Sequence, residues 1–393
     1  MAGPLEGLKI LDFTSLLPGP YATMCLGDMG ASVLKVCSPT RIDLADITPP
    51  FINGTKLSAT TAFLGRGKRS IYLNLKTPRA LQIVHKLVAD YDIVVEQFRP
   101  GVMAKLGLGY DHLKKINPAI IYCSITGYGQ TGPMSTKAGH DINYLAQSGL
   151  MAYSGRKETG PVLMGMQIAD VASGSYNAII GILAAVISRK ETGNGQYIDI
   201  SMTDGALAYN SYYGAGVLLD GNEIEREGTW LNGGSLYDFY ETKDGQYISF
   251  GGLEPQFFAA FCNAIKRPDL IPGGVETENI AKVKPEIRQI IKSKTREEWI
   301  NLFQEGDACV EPVLTVSEAL NSENTKAREL IIEVVLPSGK AIHQIANPIK
   351  FSETPQAYEK AGVLGGPHTK EVILELGYSV DEYISLGKEG VFG

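Results

Sequence analysis

The stretch KILDFTSLLPGPYATMCLGDMGASVLKV, residues Lys9–Val36, holds one complete strand–helix–strand repeat. Lys9–Phe13 is a short apolar run of the kind found in buried strands. Pro20–Met29 reads as a helix, with proline at its start and Gly30 closing it. Ser32–Val36 returns to a strand. The same rhythm continues downstream. Ile71–Leu75 is a β-run, and Pro78–Asp90 carries Leu81, Ile83, Val84, Leu87 and Val88 at the i, i+3, i+4 spacing of a helix. Asp92–Phe98 and Ala119–Ile125 are further strands. Alternation of this kind predicts an open α/β sheet with helices on both faces.

Working outward, Ser173–Ser188 reads as a buried helix, Tyr197–Met202 as a strand and Asp204–Leu219 as a helix. The texture changes from about residue 220. Ser235–Tyr240 and Gln246–Phe250 are β-runs separated by Lys243-Asp244-Gly245, a hairpin signal. Helical stretches follow at Glu254–Ala264, Val283–Lys294 and Arg296–Glu305, and a last one at His368–Leu376. The expected organisation is a large Rossmann-like domain over 1–205, a linker over 206–229 and a small α+β domain over 230–325. A second linker covers 326–349, and a C-terminal segment, 350–393, returns to the large domain.

The chain has 393 residues, 36 basic and 43 acidic, for a net charge of −7; hydrophobic residues make up 44% and charged residues 20%. That balance fits a globular protein rather than a disordered one. An acidic surface repels nucleic acid and anionic membranes at long range, so neither is an expected partner. The five cysteines, Cys25, Cys37, Cys123, Cys262 and Cys309, form no CxxC pair. They support neither a disulfide framework nor a zinc site, and no metal is expected. The N-terminus lacks the charged and apolar regions of a leader. The longest uncharged apolar run, Ala178–Ile187, is shorter than the ~18 residues a bilayer span needs. A cytoplasmic location is the expectation.

Three motifs bear on chemistry. Gly127-Tyr128-Gly129-Gln130-Thr131-Gly132 follows a strand and matches GxGxxG. Pro133 and a polar stretch come next, where a dinucleotide site needs an apolar helix. A glycine-rich loop leaving a strand is the better reading. The cluster Arg66-Gly67-Lys68-Arg69, with Arg99 in a later strand-end loop, suits a phosphorylated ligand, since guanidinium forks and ammonium groups both bind phosphate. A solvated turn explains it equally well. Ala138-Gly139-His140-Asp141-Ile142-Asn143-Tyr144 places one of five histidines before a helix-like segment. His140 is either a catalytic base or a surface residue, and Asp141 either a reactive carboxylate or a helix cap.

Taken in order, several motifs resemble the family III CoA-transferase superfamily. They are Gly7-Leu8-Lys9-Ile10, Pro18-Gly19-Pro20-Tyr21-Ala22, Gly27-Asp28-Met29-Gly30-Ala31, Gly65-Arg66-Gly67-Lys68-Arg69-Ser70, Phe98-Arg99-Pro100-Gly101, Gly127 to Pro133, and Gly193-Asn194-Gly195-Gln196. Gly139 to Tyr144, Gly252-Leu253-Glu254-Pro255-Gln256-Phe257 and Asp307-Ala308-Cys309-Val310-Glu311-Pro312-Val313 resemble the α-methylacyl-CoA racemase branch.

The resemblance implies an interlaced homodimer, each active site shared between the large domain of one chain and the small domain of the other. It also implies an acyl-CoA substrate with no separate cofactor, CoA being part of the substrate. CoA contacts are expected from Arg66, Lys68, Arg69, Leu73, Lys76, Arg99, Gly139, Asn143 and Tyr144. Inverting a carbon beside a thioester needs one group to remove a proton and another to return one on the opposite face. By family match these are His140 and Asp170. Glu254, reaching across from the second chain, would orient the imidazole, and Tyr237 would support Asp170. The backbone N–H of Asp141 is the expected donor to the enolate oxygen. In the transferase branch, Asp141 would instead form an acyl anhydride. The chain departs from the racemases at Val36-Cys37-Ser38-Pro39, where many carry an arginine that contacts CoA, so Arg41 is the expected substitute. The segment Arg41–Thr61 is also longer, which bears on the mouth of the site.

Overall fold

The computed structural model describes residues 3–276, 278–303 and 306–393. The chain forms two compact units. One comprises Met1–Gln147, Gly165–Ala208 and Asn324–Gly393; the other comprises Ser148–Met164 and Tyr209–Glu323.

The first unit is built on a six-stranded sheet of β1 (Lys9–Phe13), β2 (Ser32–Cys37), β3 (Arg69–Tyr72), β4 (Ile93–Glu96), β5 (Ile121–Thr126) and β6 (Tyr197–Ser201). The order is β3-β2-β1-β4-β5-β6 and every pair is parallel. This is the doubly wound order, in which the strand sequence reverses beside β1 and ligands bind at the C-terminal strand ends. Residue types explain the layers. β4 and β5 are buried along their whole length, as strands covered on both faces must be. The helix Pro78–Val88 is capped by the Thr77 hydroxyl and buries Ala80, Ile83, Val84, Leu87 and Val88. That stripe packs with Leu11, Leu34, Val94 and Tyr122 into the main core.

Boundaries differ from the expectations where partners lie far away in sequence. β3 begins at Arg69, ahead of the apolar run, because Leu34 to Cys37 pair with Arg69 to Tyr72. The first helix is Pro18–Asp28, begun two residues early by Pro18 at its N-terminus. The expected helix 173–188 is in fact a π-helix, Ala169–Tyr176, running into an α-helix, Asn177–Thr192. Together they make a 24-residue run long and apolar enough, by length and composition alone, to cross a bilayer. Here Ala178, Ile182 and Ala185 on it are buried. The expected linker 326–349 contains an antiparallel hairpin, β10 (Ile331–Val335) with β11 (Ala341–Ile345). Val334 and Leu336 pack there with Leu57 and Ala62. Two helices close the chain, Thr369–Glu375 and Val380–Lys388. The second is opened by a reciprocal Ser379–Glu382 capping box and was not among the expected elements.

The second unit holds the antiparallel sheet β7 (Asp238–Glu241), β8 (Tyr247–Phe250) and β9 (Val310–Pro312), with the hairpin at the expected turn. Phe250, Phe258, Phe261 and Trp299 fill its core under the helices Pro255–Ala264, Ile280–Ile291 and Arg296–Phe303. The expected end of the last helix, Glu305, lies outside the described residues. Ser148–Met164 belongs with this unit rather than with a continuous 1–205 domain. Arg156 pairs with Asp238 and Glu227, and Arg226 donates to the carbonyls of Ser154 and Met151. The expected helix 204–219 is split into Met202–Ala208 and Ser211–Asp220, and the break falls where the chain passes between units.

Candidate active site

In the first unit a cavity of about 1620 Å³ opens at the C-terminal ends of β1 to β5. Its wall includes Thr14, Lys35, Cys37, Ser70, Leu73, Lys76, Gln97, Arg99, Thr126, Tyr128, Gly139, His140, Asn143, Tyr144 and Asp170.

The His140 loop is held by one aromatic ring. Tyr144 donates its hydroxyl to the carbonyl of Gly139 at 2.5 Å and packs edge-on against Tyr128. A Cβ at Gly127 would lie 2.3 Å from the Tyr144 ring, and one at Gly139 would lie 2.7 Å from it. Both positions therefore require glycine for a steric reason. His140 itself is exposed; its N–H donates to Asn143 Oδ1 at 3.0 Å, just ahead of the helix Asp141–Gln147.

Asp170 sits in the first turn of the π-helix, an irregularity often found at functional sites. Burial, helped by the nearby Asp141 carboxylate, pushes its carboxyl up to about 6. Roughly a tenth of such groups carry a proton at pH 7, far more than for an ordinary aspartate. Its backbone N–H donates to Asp141 Oδ1 at 3.0 Å. His140 and Asp170 thus face the same cavity. Asp141 is not in its wall, and its carboxylate ties the His140 helix to the Asp170 helix. The Asp141 carboxylate accepts this bond through Oδ1, and the residue is part-buried.

The basic cluster is corrected as well. Arg66 is 2% exposed and outside the cavity wall. Its Nε and Nη2 donate to Asp28 at 2.9 and 2.7 Å, and its Nη1 to Gln344 Oε1 and the Ile345 carbonyl at 3.0 Å each. The rings of Phe63 and Tyr358 lie at about 5 Å from the guanidinium carbon. Lys68 borders the cavity, but its three protons meet three acceptors: Asp12 Oδ2 at 3.1 Å, the Pro20 carbonyl at 2.9 Å and Thr23 Oγ1 at 2.6 Å. Burial pushes the Asp12 carboxyl up, yet Lys68, Lys35 and two threonine hydroxyls outweigh it and hold it below the ordinary range. Arg69 pairs with Glu371 and Glu375 at the surface. The reason is topological. These residues lead into β3, whereas the ligand edge lies where the strands end.

Leu73, Lys76, Arg99, Gly139, Asn143 and Tyr144 all line the cavity as expected contacts would. The side chains of Lys76 and Arg99 are exposed and have no ion pair among the described residues. In the segment 41–61, Arg41, Ile42, Leu44, Ile47 and Phe51 also reach the wall, and the last four expose apolar surface. Lys35, Ser70 and Thr126 are further polar residues of the wall, on β2, β3 and β5; of these only Thr126, which ends a largely apolar strand, carries a local signal in the sequence. Glu254 and Tyr237 lie in the second unit. Glu254 flanks the start of the helix Pro255–Ala264 and is exposed. Tyr237, also exposed, precedes β7 and donates its N–H to Ser235 Oγ.

A CoA-transferase family III model matches residues 5–369. Succinyl-CoA:glutarate CoA-transferase of Mus musculus is 36% identical over 95% of this chain and 86% of that one. Alpha-methylacyl-CoA racemase of Homo sapiens is 33% identical over 98% of this chain and 97% of that one. The crystal structure of a CAIB/BAIF family protein from Brucella suis superposes with a TM-score of 0.84 at 29% identity, covering 96% of this chain and 100% of that one. The chain belongs to CoA-transferase family III. Its relatives include both transferases and racemases, and an acyl-CoA ligand is consistent with both.

Proposed function

We propose that this protein interconverts the two configurations of a 2-methylacyl-CoA thioester. The observation that carries this reading is the presence of an imidazole and a part-buried carboxyl in the wall of one cavity. The His140 ring takes the α-proton, leaving an enolate whose charge sits on the thioester oxygen. Asp170 then delivers its own proton to the opposite face of the same carbon. The product leaves His140 protonated and Asp170 ionised, and the reverse direction starts from that state. Lys76 and Arg99, being unpaired, suit the phosphates of CoA, with Leu73 as apolar floor and Gly139, Asn143 and Tyr144 near the reacting end. The reading includes a homodimer in which Glu254 of a second copy orients the imidazole and Tyr237 supports Asp170. It requires no cofactor beyond the CoA of the substrate.

The test is incubation of one enantiomer of a 2-methylacyl-CoA in deuterated water with no acid acceptor. Inversion with α-deuterium uptake supports the reading, and retention of both configuration and α-hydrogen refutes it.

The similarity to the Mus musculus transferase favours a second reading. A carboxylate attacks the thioester carbonyl and expels CoA thiolate, forming a mixed anhydride; the thiolate then displaces the first acid from the enzyme carboxyl, and the second acid takes CoA through a second anhydride, leaving the enzyme carboxylate free. The carboxylate in this reading is Asp141, directly beside His140, as the family resemblance implies. CoA transfer on supplying a free acid, without α-exchange and lost in Asp141→Ala, would support this reading.

A further inference from the structure

Glu96 ends β4 with a carboxylate that lies behind the active-site cavity: it is 4% exposed and outside the wall. No cation pairs with it among the described residues. An acid buried without a counter-charge weakens the fold, and a sequence keeps such a group mainly where function uses it.

Its two oxygens have different partners. Oε1 accepts from the hydroxyl of Ser124, the residue opposite it on β5, and Ser124 Oγ in turn accepts from the Tyr197 hydroxyl of β6 at 3.1 Å. Oε2 accepts from the Phe98 N–H at 2.7 Å, in the loop that leaves β4. The carboxylate therefore ties that loop to the interior of the sheet. The loop is pinned at two further points. Gln97 Oε1 accepts from Gly19 N at 3.1 Å, and Val102 N donates to the Arg99 carbonyl at 3.1 Å. Gln97, Phe98, Arg99 and Pro100 all line the cavity. Arg99 is exposed, with no ion pair among the described residues. Gln97 is itself in the wall, whereas Glu96 sits behind it, where it acts on a ligand only through the loop.

We propose that Glu96 is a positioning residue: by holding the Phe98 N–H, it sets the loop that presents Arg99 to the phosphates of CoA. The proposal rests on the acyl-CoA reading above and on its assignment of Arg99 to those phosphates. Their charge does not change as the α-proton moves, so the contribution is equal in ground and transition states and falls on binding. An amide at position 96 still offers an oxygen to the Phe98 N–H, whereas a leucine offers none.

The experiment measures the Kd of free CoA by direct titration, and kcat and KM with a single-enantiomer 2-methylacyl-CoA, on the full-length protein. It compares Glu96→Leu, Glu96→Gln, Arg99→Ala and the double variant Glu96→Leu/Arg99→Ala. Arg99→Ala should raise the CoA Kd about tenfold. Glu96→Leu should raise it about five- to tenfold, with a matching rise in KM and kcat within about threefold. Glu96→Gln should keep Kd within about threefold of wild type. The double variant should bind CoA within about twofold of Arg99→Ala, because a loop without its cation has nothing left to present. Full CoA affinity in Glu96→Leu, a loss confined to kcat, an equal loss in Glu96→Gln, or the same fold-loss from Glu96→Leu in both backgrounds would each overturn the proposal. Should Glu96→Leu fail to fold, Glu96→Met, unbranched like the native side chain, carries the same comparison. An unchanged CoA Kd in Arg99→Ala would strike the phosphate assignment of Arg99, and the proposal with it. The Kd comparison holds for either reaction, so failure of the racemase reading alone leaves the proposal standing.

Discussion

Two short polar stretches of the first unit contrast sharply. Residues 66–69 carry three cations and read as a phosphate seat, yet each is committed to protein partners: Arg66 to Asp28, Lys68 to Asp12, Arg69 to Glu371 and Glu375. Residues 126–144 carry little charge, yet this stretch brings an exposed imidazole to the cavity. What separates them is whether the chain itself supplies a counter-charge. Cations paired within the protein build the fold, and a side chain left exposed at the cavity remains available to a ligand.

The contrast can be broken most forcefully at the proton carriers. Asp170→Asn should lower inversion by about 10²–10⁴-fold with little change in melting temperature, since the amide keeps the volume of the carboxyl. In the wild type, only the state with one proton shared between His140 and Asp170 is active. The profile of kcat/KM against pH should therefore be bell-shaped and the same in both directions of inversion. A profile lacking either limb would exclude a shared-proton pair.

Arg66→Ala tests the opposite side of the comparison. It strands the Asp28 carboxylate in the interior and should cost about 3–5 kcal/mol in urea unfolding. Below its melting temperature the variant should retain substrate KM, because Arg66 does not line the cavity. A selective rise in KM without loss of stability would restore the phosphate-seat assignment.

Glu96, 4% exposed at the end of β4, sharpens the point within one residue. It accepts from the Phe98 N–H at 2.7 Å and from the Ser124 hydroxyl, but burial outweighs these bonds and pushes its carboxyl up to about 7. Its folded-state value lies above that of the unfolded chain. Stability is therefore fullest below about pH 4.5, falls as pH rises to about 7, and is level above that. The loss is about 3 kcal/mol. Urea unfolding at pH 5 and pH 8 should show this decline in the wild type and not in Glu96→Gln. The smallest effect belongs to Arg69→Ala, whose exposed ion pairs should be worth less than about 1 kcal/mol and should vanish at high salt.

Much of the architecture was legible because it depends on local periodicity. The strand–helix rhythm of 9–36 and the apolar stripe of 78–88 specify a parallel layered sheet almost unaided. The β-hairpin of the second unit was readable from Lys243-Asp244-Gly245 alone. What could not be read depends on distant partners. Arg66 is neutralised by Asp28 and donates to Gln344, the latter 278 positions away, and no local pattern announces such a pairing. The π-helix at 169–176 follows from tertiary anchoring, with Ser173 bonded to the Met202 carbonyl and Ser175 to the Pro18 carbonyl. His140 and Asp170 were named by family pattern; their presence in one cavity wall is a property of the fold.

The ring of Tyr144 wedged over two glycines makes three separated positions behave as a single mutational unit. Enlarging Gly127 or Gly139 alone produces a collision, and shrinking Tyr144 alone opens a void and releases the Gly139 carbonyl. Substitutions in this loop are accordingly accessible only in concert, so a library randomising residues 127–144 one position at a time would miss most of the functional variants there.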